Sequence, residues 1–432
     1  MFFPEIEKKP KEEIKKFQES KISATLSYLK NNSKFYAELF STNALDLNSI
    51  KTIEDLSRIP FTTKDDVQAN NDNFICVDKL KIIDYVTTSG TLGDPVIVPL
   101  TDKDLERLAY NEAISFFCTG GDEHETYQLT ATIDRRFMAG LAYFLGARKL
   151  GAGIIRVGSG IPELQWDTVK KIKPTALIAV PSFLLKMIDY AEQHGIDYKN
   201  SSIKKAICIG EPLRNDDFSF NSLGKRIKEK WDIQLYSTYA STEMAAAFTE
   251  CEYGIGGHHH PELLIAEFVD IDGKPVNDGE AGELVITNLD LEGMPLLRFR
   301  TGDICRHYYE PCKCGRTSLR IGPIIGRRQH MIKYKGTTLY PPALYDILDN
   351  IEGIVNYIVE VYTNDIGTDE ILIRVGCAKV KENLEKEIKD HFRARLRAAP
   401  TVVFENPQTI TKLQFPEIGR KAIKFFDNRK GL

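Results

Sequence analysis

The chain lacks the features that mark several large classes of protein. Its 432 residues carry a formal net charge of −4, so no excess of positive charge favours a nucleic-acid partner. Met1 to Lys16 mixes charges and has no apolar core, so we expect no secretory leader. The most apolar stretch, Phe137 to Ile155, is interrupted by Arg148 and Lys149, which predicts that no segment spans a membrane.

Several other patterns are also missing. No Ser-His-Asp or Cys-His nucleophile arrangement stands out, and there are no internal repeats or low-complexity tracts. Without a leader, the eight cysteines predict free thiols or metal ligands in a reducing compartment, so we expect a cytoplasmic protein. A chain of this length is expected to form two or three domains, and its hydrophobic fraction of 42% is ordinary for a soluble globular protein.

Short apolar runs alternate with helix-length segments through much of the chain, after a helical stretch at residues 5 to 41. The strand candidates are Tyr127–Ala131, Gly153–Val157, Ala176–Val180, Ala206–Ile209 and Ile233–Tyr236. The helix candidates between them include Pro162–Lys171, Ser182–His194 and Asn215–Lys230. This alternation predicts an α/β fold with a doubly wound parallel sheet, in which ligands bind at the carboxyl ends of the strands.

The last part of the chain has a different pattern. Acidic turns separate three strand-like segments and predict a small β unit at about residues 262–325; the segments are Leu263–Asp270, Gly282–Thr287 and Met294–Arg300. Beyond it we expect a hairpin around Asp365-Ile366-Gly367, an amphipathic helix at Lys379–Ala398 and a strand at Thr401–Phe404. These elements predict a small α+β domain, with domains at residues 1–326 and 327–432.

The most informative stretch runs from Thr87 to Pro95, with the sequence TTSGTLGDP. Its glycines allow positive φ and close approach, its N–H groups can enclose an anion, and its hydroxyls add donors without bulk. The residues that we expect to contact a polyphosphate are Thr87, Thr88, Ser89, Gly90, Thr91 and Gly93. An ordinary polar turn has the same composition, and the Gly-Lys-Ser/Thr ending of a Walker A loop is missing.

Two polar segments, Gly210-Glu211-Pro212 and Tyr239-Ala240-Ser241-Thr242-Glu243, follow predicted strands. Because the carboxyl ends of parallel strands share one edge of the sheet, both segments are expected to line one site. The Glu243 carboxylate would hold Mg²⁺ against phosphates, since Mg²⁺ takes one or two protein carboxylates together with substrate oxygens. Alternatively, Glu243 is an acid at a helix N-terminus with Ser241 and Thr242 as caps.

Two further candidates lie near the C-terminal part of the chain. Asp303, after Thr301-Gly302, would bind a ribose diol through two charge-assisted hydrogen bonds, or is a solvated turn residue. Lys421 would reach a carboxylate or an α-phosphate if the tail is docked, which the neighbouring Phe425 and Phe426 favour. A basic tail is otherwise usually solvated.

Cys312 and Cys314 lie two residues apart in a loop and form a typical half-site for a metal. Cys251 and His258 are candidates for the other half, and His259 and His260 compete with His258 for that role. Three cysteines and one histidine are a known structural zinc set. Unrelated free thiols are the alternative.

The motifs, taken in this order, resemble the phenylacetate-CoA ligase-like branch of the AMP-forming adenylating enzymes, from about residue 20 to 428. The resemblance implies a phosphate loop at Thr87–Pro95, a segment beside the adenine and acyl pocket at Ile209–Leu213, and an adenine-contacting motif at Tyr239–Glu243. It also implies that Asp303 binds the ribose and that Lys421 activates the carboxylate.

The resemblance further assigns Arg327 to an ATP-binding arginine block and Gln329 to the hinge of a mobile C-terminal α+β domain. The cysteine loop is similar to that of a zinc-bearing subset of the branch. Three residues depart from the pattern: Asp94 replaces a common lysine of the phosphate loop, Gln329 replaces the usual hinge aspartate, and Arg420 replaces a common glycine.

The implied function is an AMP-forming acid–coenzyme A ligase. A carboxylic acid, with an aryl acid such as phenylacetate favoured, would react with ATP and Mg²⁺ to give acyl-AMP, and the thiol of coenzyme A would then displace AMP. We expect an acyl pocket built from Phe137–Gly146, Ala179–Phe183 and Ile209–Glu211, a structural Zn²⁺ and, by family analogy, a homodimer. The alternatives are a different acceptor, such as a carrier protein or a cofactor, and a non-catalytic nucleotide-binding relative.

Overall fold

The computed structural model describes residues 4–88, 95–334, 337–364, 369–378, 380–396, 398–415 and 422–429. The chain divides into two compact units. The first unit comprises Met1–Thr301 and Cys305–Pro323, and the second comprises Gly302–Ile304 and Ile324–Leu432. The chain therefore contributes three residues to the second unit before it returns to the first. The boundary expected at residue 326 stays a prediction.

The N-terminal part of the first unit is helical. Its helices are α1 (Lys11–Asn32), α2 (Lys34–Thr42), α3 (Lys64–Ala69) and α4 (Asn71–Phe74). The single helical stretch expected at residues 5 to 41 is divided at Ser33, whose side chain accepts a hydrogen bond from the Tyr36 N–H and caps α2. Ile22, Leu26 and Leu29 form the buried stripe of α1, because residues four and three apart share one face of a helix.

A two-stranded hairpin leads into the main sheet. Strand β1 (Ile82–Thr87) pairs antiparallel with β2 (Ile97–Thr101), and the phosphate-loop candidate connects them. Thr88 is hydrogen-bonded to Val96 where the two strands end. Its N–H donates to the Val96 carbonyl and its Oγ1 accepts from the Val96 N–H, both at 3.1 Å.

The parallel sheet confirms the predicted α/β fold. Its strands are β3 (Thr126–Leu129), β4 (Gly153–Arg156), β5 (Ala176–Ala179), β6 (Lys205–Cys208) and β7 (Gln234–Ser241), in the spatial order β4-β3-β5-β6-β7. The accompanying helices are α5 (Asp102–Cys118), α6 (Met138–Leu150), α7 (Pro162–Ile172), α8 (Pro181–Gln193) and α9 (Ser222–Lys230). The helix expected from Asn215 begins only at Ser222, because an Arg214–Phe220 bridge folds the preceding residues into a turn.

The predicted β unit is not a separate layer but continues the same sheet. Its strands are β8 (Ala246–Glu250), β9 (Gly257–His258), β10 (Leu264–Val269), β11 (Ala281–Asn288), β12 (Phe299–Tyr308) and β13 (Arg320–Ile321). From β7 the sheet runs on as β8-β9-β13-β12-β11-β10. The strand expected from Met294 begins only at Phe299, because the Asn288 side chain accepts from the Leu296 N–H and holds the preceding residues in a loop.

The second unit is the α+β structure that the sequence predicts. Its elements are β14 (Gly326–Arg327), β15 (Ile332–Tyr334), β16 (Thr337–Leu339), α10 (Pro341–Asp349), β17 (Asn356–Thr363), β18 (Asp369–Gly376), α11 (Leu384–Leu396), β19 (Thr401–Glu405), α12 (Pro407–Gln414) and β20 (Phe425–Asp427). Four strands form a sheet in the order β19-β18-β17-β20. The predicted hairpin is β17 and β18, although its turn at Asp365-Ile366-Gly367 lies outside the described residues.

The tail of the chain is docked on this sheet. Strand β20 pairs parallel with β17, and the Val359 N–H donates to the Lys424 carbonyl at 2.8 Å. Helix α11 begins at Leu384 and is shorter than the expected helix. Among the described residues, none of the helices has the length and apolar character that crossing a membrane requires.

Candidate functional site

The strand order places a topological switch point between β3 and β5. From β3 the chain passes through α6 to β4 on one side, whereas from β5 it passes through α8 to β6 on the other side. In open parallel sheets a crevice forms where connections diverge in this way, outside the carboxyl ends of the strands. The loop after β3, at residues 130–137, and Val180 with the first turn of α8 are therefore the expected walls of a ligand site.

The base of the phosphate-loop candidate is held at this crevice. Thr87 and Thr88 are buried, and the Thr87 N–H donates to the carbonyl of Arg136, in the loop after β3, at 3.0 Å. The predicted contacts Ser89, Gly90, Thr91 and Gly93, together with Asp94, lie outside the described residues. The described part of the motif thus connects β1 directly to the wall of the crevice.

Gly210, Glu211 and Pro212 follow β6 at the same edge. Gly210 has a φ of +74°, a conformation that glycine adopts at little cost and that turns the chain at the end of the strand. The two carboxylate oxygens of Glu211 accept hydrogen bonds from the N–H and the hydroxyl of Ser182, at 2.9 and 2.8 Å. Because Ser182 lies in the first turn of α8, the Glu211 carboxylate fastens this segment to the helix N-terminus.

The segment from Tyr239 to Glu243 is the end of a strand and the turn after it. Strand β7 continues to Ser241 and pairs antiparallel with β8, with Tyr239 opposite Phe248. The expectation that the whole motif follows a strand is therefore wrong, because Tyr239, Ala240 and Ser241 belong to β7. Thr242 and the half-buried Glu243 lie in the tight turn before β8, so Glu243 is not at a helix N-terminus.

Two buried side chains that the sequence reasoning missed hold this turn. Arg107 in α5 donates to the carbonyls of Ala245 and Leu289 at 2.7 and 3.1 Å, and Asn288 donates to the carbonyl of Met244 at 2.8 Å. Burial lowers the pKa of Arg107 to about 10, so the guanidinium stays charged at neutral pH. The sequence carried no signal for Arg107, because only the tertiary structure shows that this helix is largely buried.

The segments expected to form an acyl pocket contain core residues as well. Tyr143 and Ile209 are buried and pack with Phe116 and Tyr127 in the core between α5, α6 and the parallel sheet. These residues therefore support the sheet, and the acyl pocket expected in these segments stays a prediction.

In the second unit the structure brings Asp303 and Arg327 together. They are direct partners of the antiparallel pair formed by β12 and β14, and Arg327 Nε donates to Asp303 Oδ1 at 3.2 Å. The sequence placed Asp303 in a turn after a strand, which is wrong: Asp303 lies within β12, next to Gly302 with a φ of +77°. The side chain of Asp303 is buried, so its carboxylate is fixed in position.

Gln329 lies in the short 3₁₀ helix Arg328–His330. Its carbonyl accepts a hydrogen bond from Arg429 Nη2 at 3.0 Å, and Arg429 also donates to the Met331 carbonyl at 2.7 Å. The expected hinge is thus connected to the chain that follows β20. Lys421 lies outside the described residues, but the chain resumes at Ala422, and the Ile423 N–H donates to the Gln414 carbonyl at 2.8 Å.

The four predicted zinc ligands do come together. One ligand atom from each of Cys251, His258, Cys312 and Cys314 lies within 4.8 Å of the others. The Sγ atoms of Cys251 and Cys312 are 3.6 Å apart, and Cys314 Sγ is 3.5 Å from His258 Nε2. Bond lengths of about 2.3 Å to sulfur and about 2.0 Å to nitrogen in a tetrahedral site require separations of about 3.8 and 3.5 Å, so the residues fit zinc.

The structure also decides between the three consecutive histidines. His258 turns Nε2 toward Cys314, whereas His259 Nε2 bonds to the Leu264 carbonyl at 2.7 Å and His260 Nδ1 bonds to Glu7. Burial lowers the pKa of His258, so its ring is neutral, as a metal ligand must be. Cys118 packs against the same cluster, but its thiol donates to the Thr249 carbonyl.

Comparison with known proteins gives the family. The AMP-binding enzyme family model matches residues 13–290. The phenylacetate-coenzyme A ligase of Thermus thermophilus is 29% identical over 397 residues, which cover 90% of this chain and 86% of that enzyme. The enzyme of the same name from Aromatoleum evansii is 26% identical, with coverage of 98% and 96%.

A solved structure has the same fold. The 2-hydroxyisobutyryl-CoA ligase in its postadenylation state superposes with a TM-score of 0.84 at 21% identity, and the match covers 99% of this chain and 93% of that one. The family model spans more than half of the chain, and the motifs occur in the expected order. The chain therefore belongs to the AMP-binding enzyme family, as a phenylacetate-CoA ligase-like member of the AMP-forming adenylating enzymes.

Proposed function

We propose that the protein is an AMP-forming acid–coenzyme A ligase that favours aryl acids such as phenylacetate. The acid carboxylate attacks the α-phosphate of ATP, which gives acyl-AMP and releases pyrophosphate. The thiol of coenzyme A then attacks the acyl carbon, which gives a thioester and releases AMP. One observation carries the proposal: in a chain of this family, the base of the phosphate loop is hydrogen-bonded to the loop after β3, and the Gly210 turn and the hairpin with Glu243 continue from the strand ends of β6 and β7.

The first step joins two anions, so the residues around the reacting atoms must supply positive charge and orientation. Lys421 would bridge the substrate carboxylate and the α-phosphate. The hydroxyls and N–H groups of residues 87–93 would orient the phosphates. Glu243 fits a Mg²⁺ ligand, because its half-buried carboxylate stands on a turn fastened by Arg107 and Asn288. Bound Mg²⁺ would neutralise phosphate charge.

The other predicted residues would position the nucleotide. Tyr239 would lie against the adenine, with Ala240, Ser241 and Thr242 beside it and the backbone of Gly210 to Pro212 on the neighbouring strand end. Asp303 would accept hydrogen bonds from the ribose hydroxyls, and Arg327 would hold that carboxylate through the observed ion pair. Gln329 is proposed as the hinge that moves Lys421 between the two steps, a motion of a known class.

We also propose that Cys251, His258, Cys312 and Cys314 hold a structural Zn²⁺. Four protein ligands leave no open coordination position, so the site would stabilise the fold and take no part in the reaction. It would fasten the loop that carries Cys312 and Cys314 to the strand β9.

The activity is tested by ATP–pyrophosphate exchange with a panel of aryl and aliphatic acids. We expect exchange that requires both the acid and Mg²⁺ and is fastest with phenylacetate-like acids. Mass spectrometry of the products, with coenzyme A and a pantetheinylated carrier protein offered separately, identifies the acceptor. Exchange with none of the acids would leave the protein as a non-catalytic nucleotide-binding relative.

The role of Lys421 is tested by Lys421→Ala. Loss of the bridging charge should slow acyl-AMP formation by about two to three orders of magnitude, whereas thioester formation from supplied acyl-AMP should persist. Lys412→Ala removes an exposed lysine of α12 and is the matched control, expected to behave as the wild type. Pyrophosphate release at the wild-type rate in Lys421→Ala would remove this residue from the mechanism.

The zinc site is tested by metal analysis of freshly purified protein, which should contain about one zinc per chain. Cys312→Ser and Cys314→Ser should lose the metal and lower the thermal midpoint, because metal binding contributes folding free energy. Cys118→Ser changes a thiol beside the cluster that is not a predicted ligand and should retain zinc. Wild-type protein without bound metal would contradict the proposal.

A further inference from the structure

The phosphate-loop candidate contains no cation. Residues 87–95 include neither lysine nor arginine, and Asp94 adds a negative charge. Sites that bind phosphate groups tightly usually contain arginine or lysine, because charge-assisted hydrogen bonds are about twice as strong as neutral ones. Besides the proposed Mg²⁺ on Glu243 and Lys421 at the α-phosphate, any side-chain cation at the β- and γ-phosphates must therefore come from outside residues 87–95.

Two consecutive arginines lie beside the base of this loop. Arg135 and Arg136 follow β3 and are exposed, and the Arg136 carbonyl accepts the hydrogen bond from the Thr87 N–H. No acidic side chain of the described residues forms an ion pair with Arg136. The pair stands at the carboxyl end of β3, at the switch point where the strand order predicts a ligand crevice.

The backbone of both arginines is strained. Arg135 and Arg136 have φ values of 62° and 58°, in the left-handed region that residues other than glycine rarely adopt. The loop is also pressed against α6, since a Cβ at Gly140 would lie 2.0 Å from the carbonyl oxygen of Thr132. Strain of this kind persists where the surrounding structure imposes it, and it is frequent at ligand-binding sites.

We propose that Arg135 and Arg136 form a cationic corner that binds the β- and γ-phosphates of ATP. This corner supplies the positive charge that residues 87–95 lack. The hydrogen bond from the Thr87 N–H to the Arg136 carbonyl holds the corner beside the base of the phosphate loop. The inference rests on the proposed function only in so far as ATP is the nucleotide.

The cationic corner is tested by titrating ATP, inorganic pyrophosphate, AMP and coenzyme A into the protein in a calorimeter, without acid. Arg136→Gln, and the double variant that adds Arg135→Gln, should weaken the binding of ATP and of pyrophosphate about tenfold or more, because each loses charge-assisted hydrogen bonds to phosphate oxygens. AMP affinity should be unchanged, because AMP lacks both phosphates. Arg136→Lys should restore part of the loss.

The matched control is Arg148→Gln, which removes an exposed arginine at the other end of α6. Arg135→Asn and Arg136→Asn repeat the test with a residue that tolerates the left-handed region. Unchanged ATP affinity in the double variants, or weakening confined to AMP or coenzyme A, would overturn the proposal. If the variants bind ATP more weakly but the wild type shows no ATP–pyrophosphate exchange with any acid, the proposed ligase activity is rejected and the cationic corner is retained.

A second, independent observation concerns the first described residues. Glu7, in the 3₁₀ turn Glu5–Lys8, is fully buried. Its carboxylate forms an ion pair with Arg316, at 2.7 Å from Nε, and a hydrogen bond with Nδ1 of His260. Its carbonyl accepts from the Thr317 N–H at 2.7 Å. A buried carboxylate is retained only where such partners offset its loss of hydration.

These partners belong to the two halves of the Cys/His cluster. Arg316 follows Cys314 by two residues, and its Nη1 donates to Cys314 Sγ at 3.5 Å. His260 follows the ligand His258 by two residues on the other half. Glu7 therefore holds both halves from outside the cluster.

We infer that Glu7 is a positioning residue for the proposed metal and that metal binding and docking of residues 4–9 stabilise each other. Replacement of a residue that hydrogen-bonds a metal ligand typically changes metal affinity by about 10–100-fold, and Glu7 holds such a residue, Arg316, against Cys314. Coupling of this kind is reciprocal, so loss of metal must loosen the N-terminal segment.

The test uses the zinc-loaded protein and a chromogenic chelator. Glu7→Gln should release zinc about tenfold faster or more, whereas Glu5→Gln, which changes an exposed neighbour, should not. In the wild type, removal of zinc should raise amide hydrogen exchange at residues 4–9 and 317–318 but not in α12; this arm needs no variant. Equal release rates together with unchanged exchange, or protein that binds no zinc, would overturn the inference.

Discussion

The buried guanidinium of Arg107 is the interaction on which the first unit most depends. From the middle of α5 it donates to backbone carbonyls of three segments distant in sequence, at Ala245, Leu263 and Leu289. An unpaired guanidinium at this depth would be very costly, so all three segments must close around it. The turn that presents Glu243 is positioned by this closure, and Asn288 adds a second bond to the same turn.

Three of the eight non-glycine residues with positive φ among the described residues lie in segments that follow β3 and β7. Ala245, Arg135 and Arg136 have positive φ without being glycine, and each lies in a turn or loop after a strand of the parallel half. The core behind them is rigid, with Tyr127, Ile178 and Ile207 almost fully buried. A rigid core that imposes strained loops is the arrangement expected of a site that must hold several anionic groups before reaction.

Much of the architecture could be predicted because it follows from local patterns of apolar and polar residues. The five parallel strands and the hairpin of β17 and β18 are confirmed, since short apolar runs and the segments between them are features of near neighbours in the sequence. The errors occurred where distant residues decide. Leu296 is held in a loop by the Asn288 side chain, and the chain before Ser222 turns because Arg214 and Phe220 pair. Neither contact can be predicted from the residue pattern around it.

The sequence by itself determined which chemical groups are present and in what order: the hydroxyl-rich loop, the Glu243 motif and the cysteine pair, because residue type and spacing carry that chemistry. Only the tertiary structure decided which group meets which. The sequence does not distinguish His258, His259 and His260, but in the structure their side chains contact Cys314, the Leu264 carbonyl and Glu7, respectively. The three partners lie 56, 5 and 253 residues away in the sequence, so the pairings depend on how separate segments are packed, which no local pattern encodes.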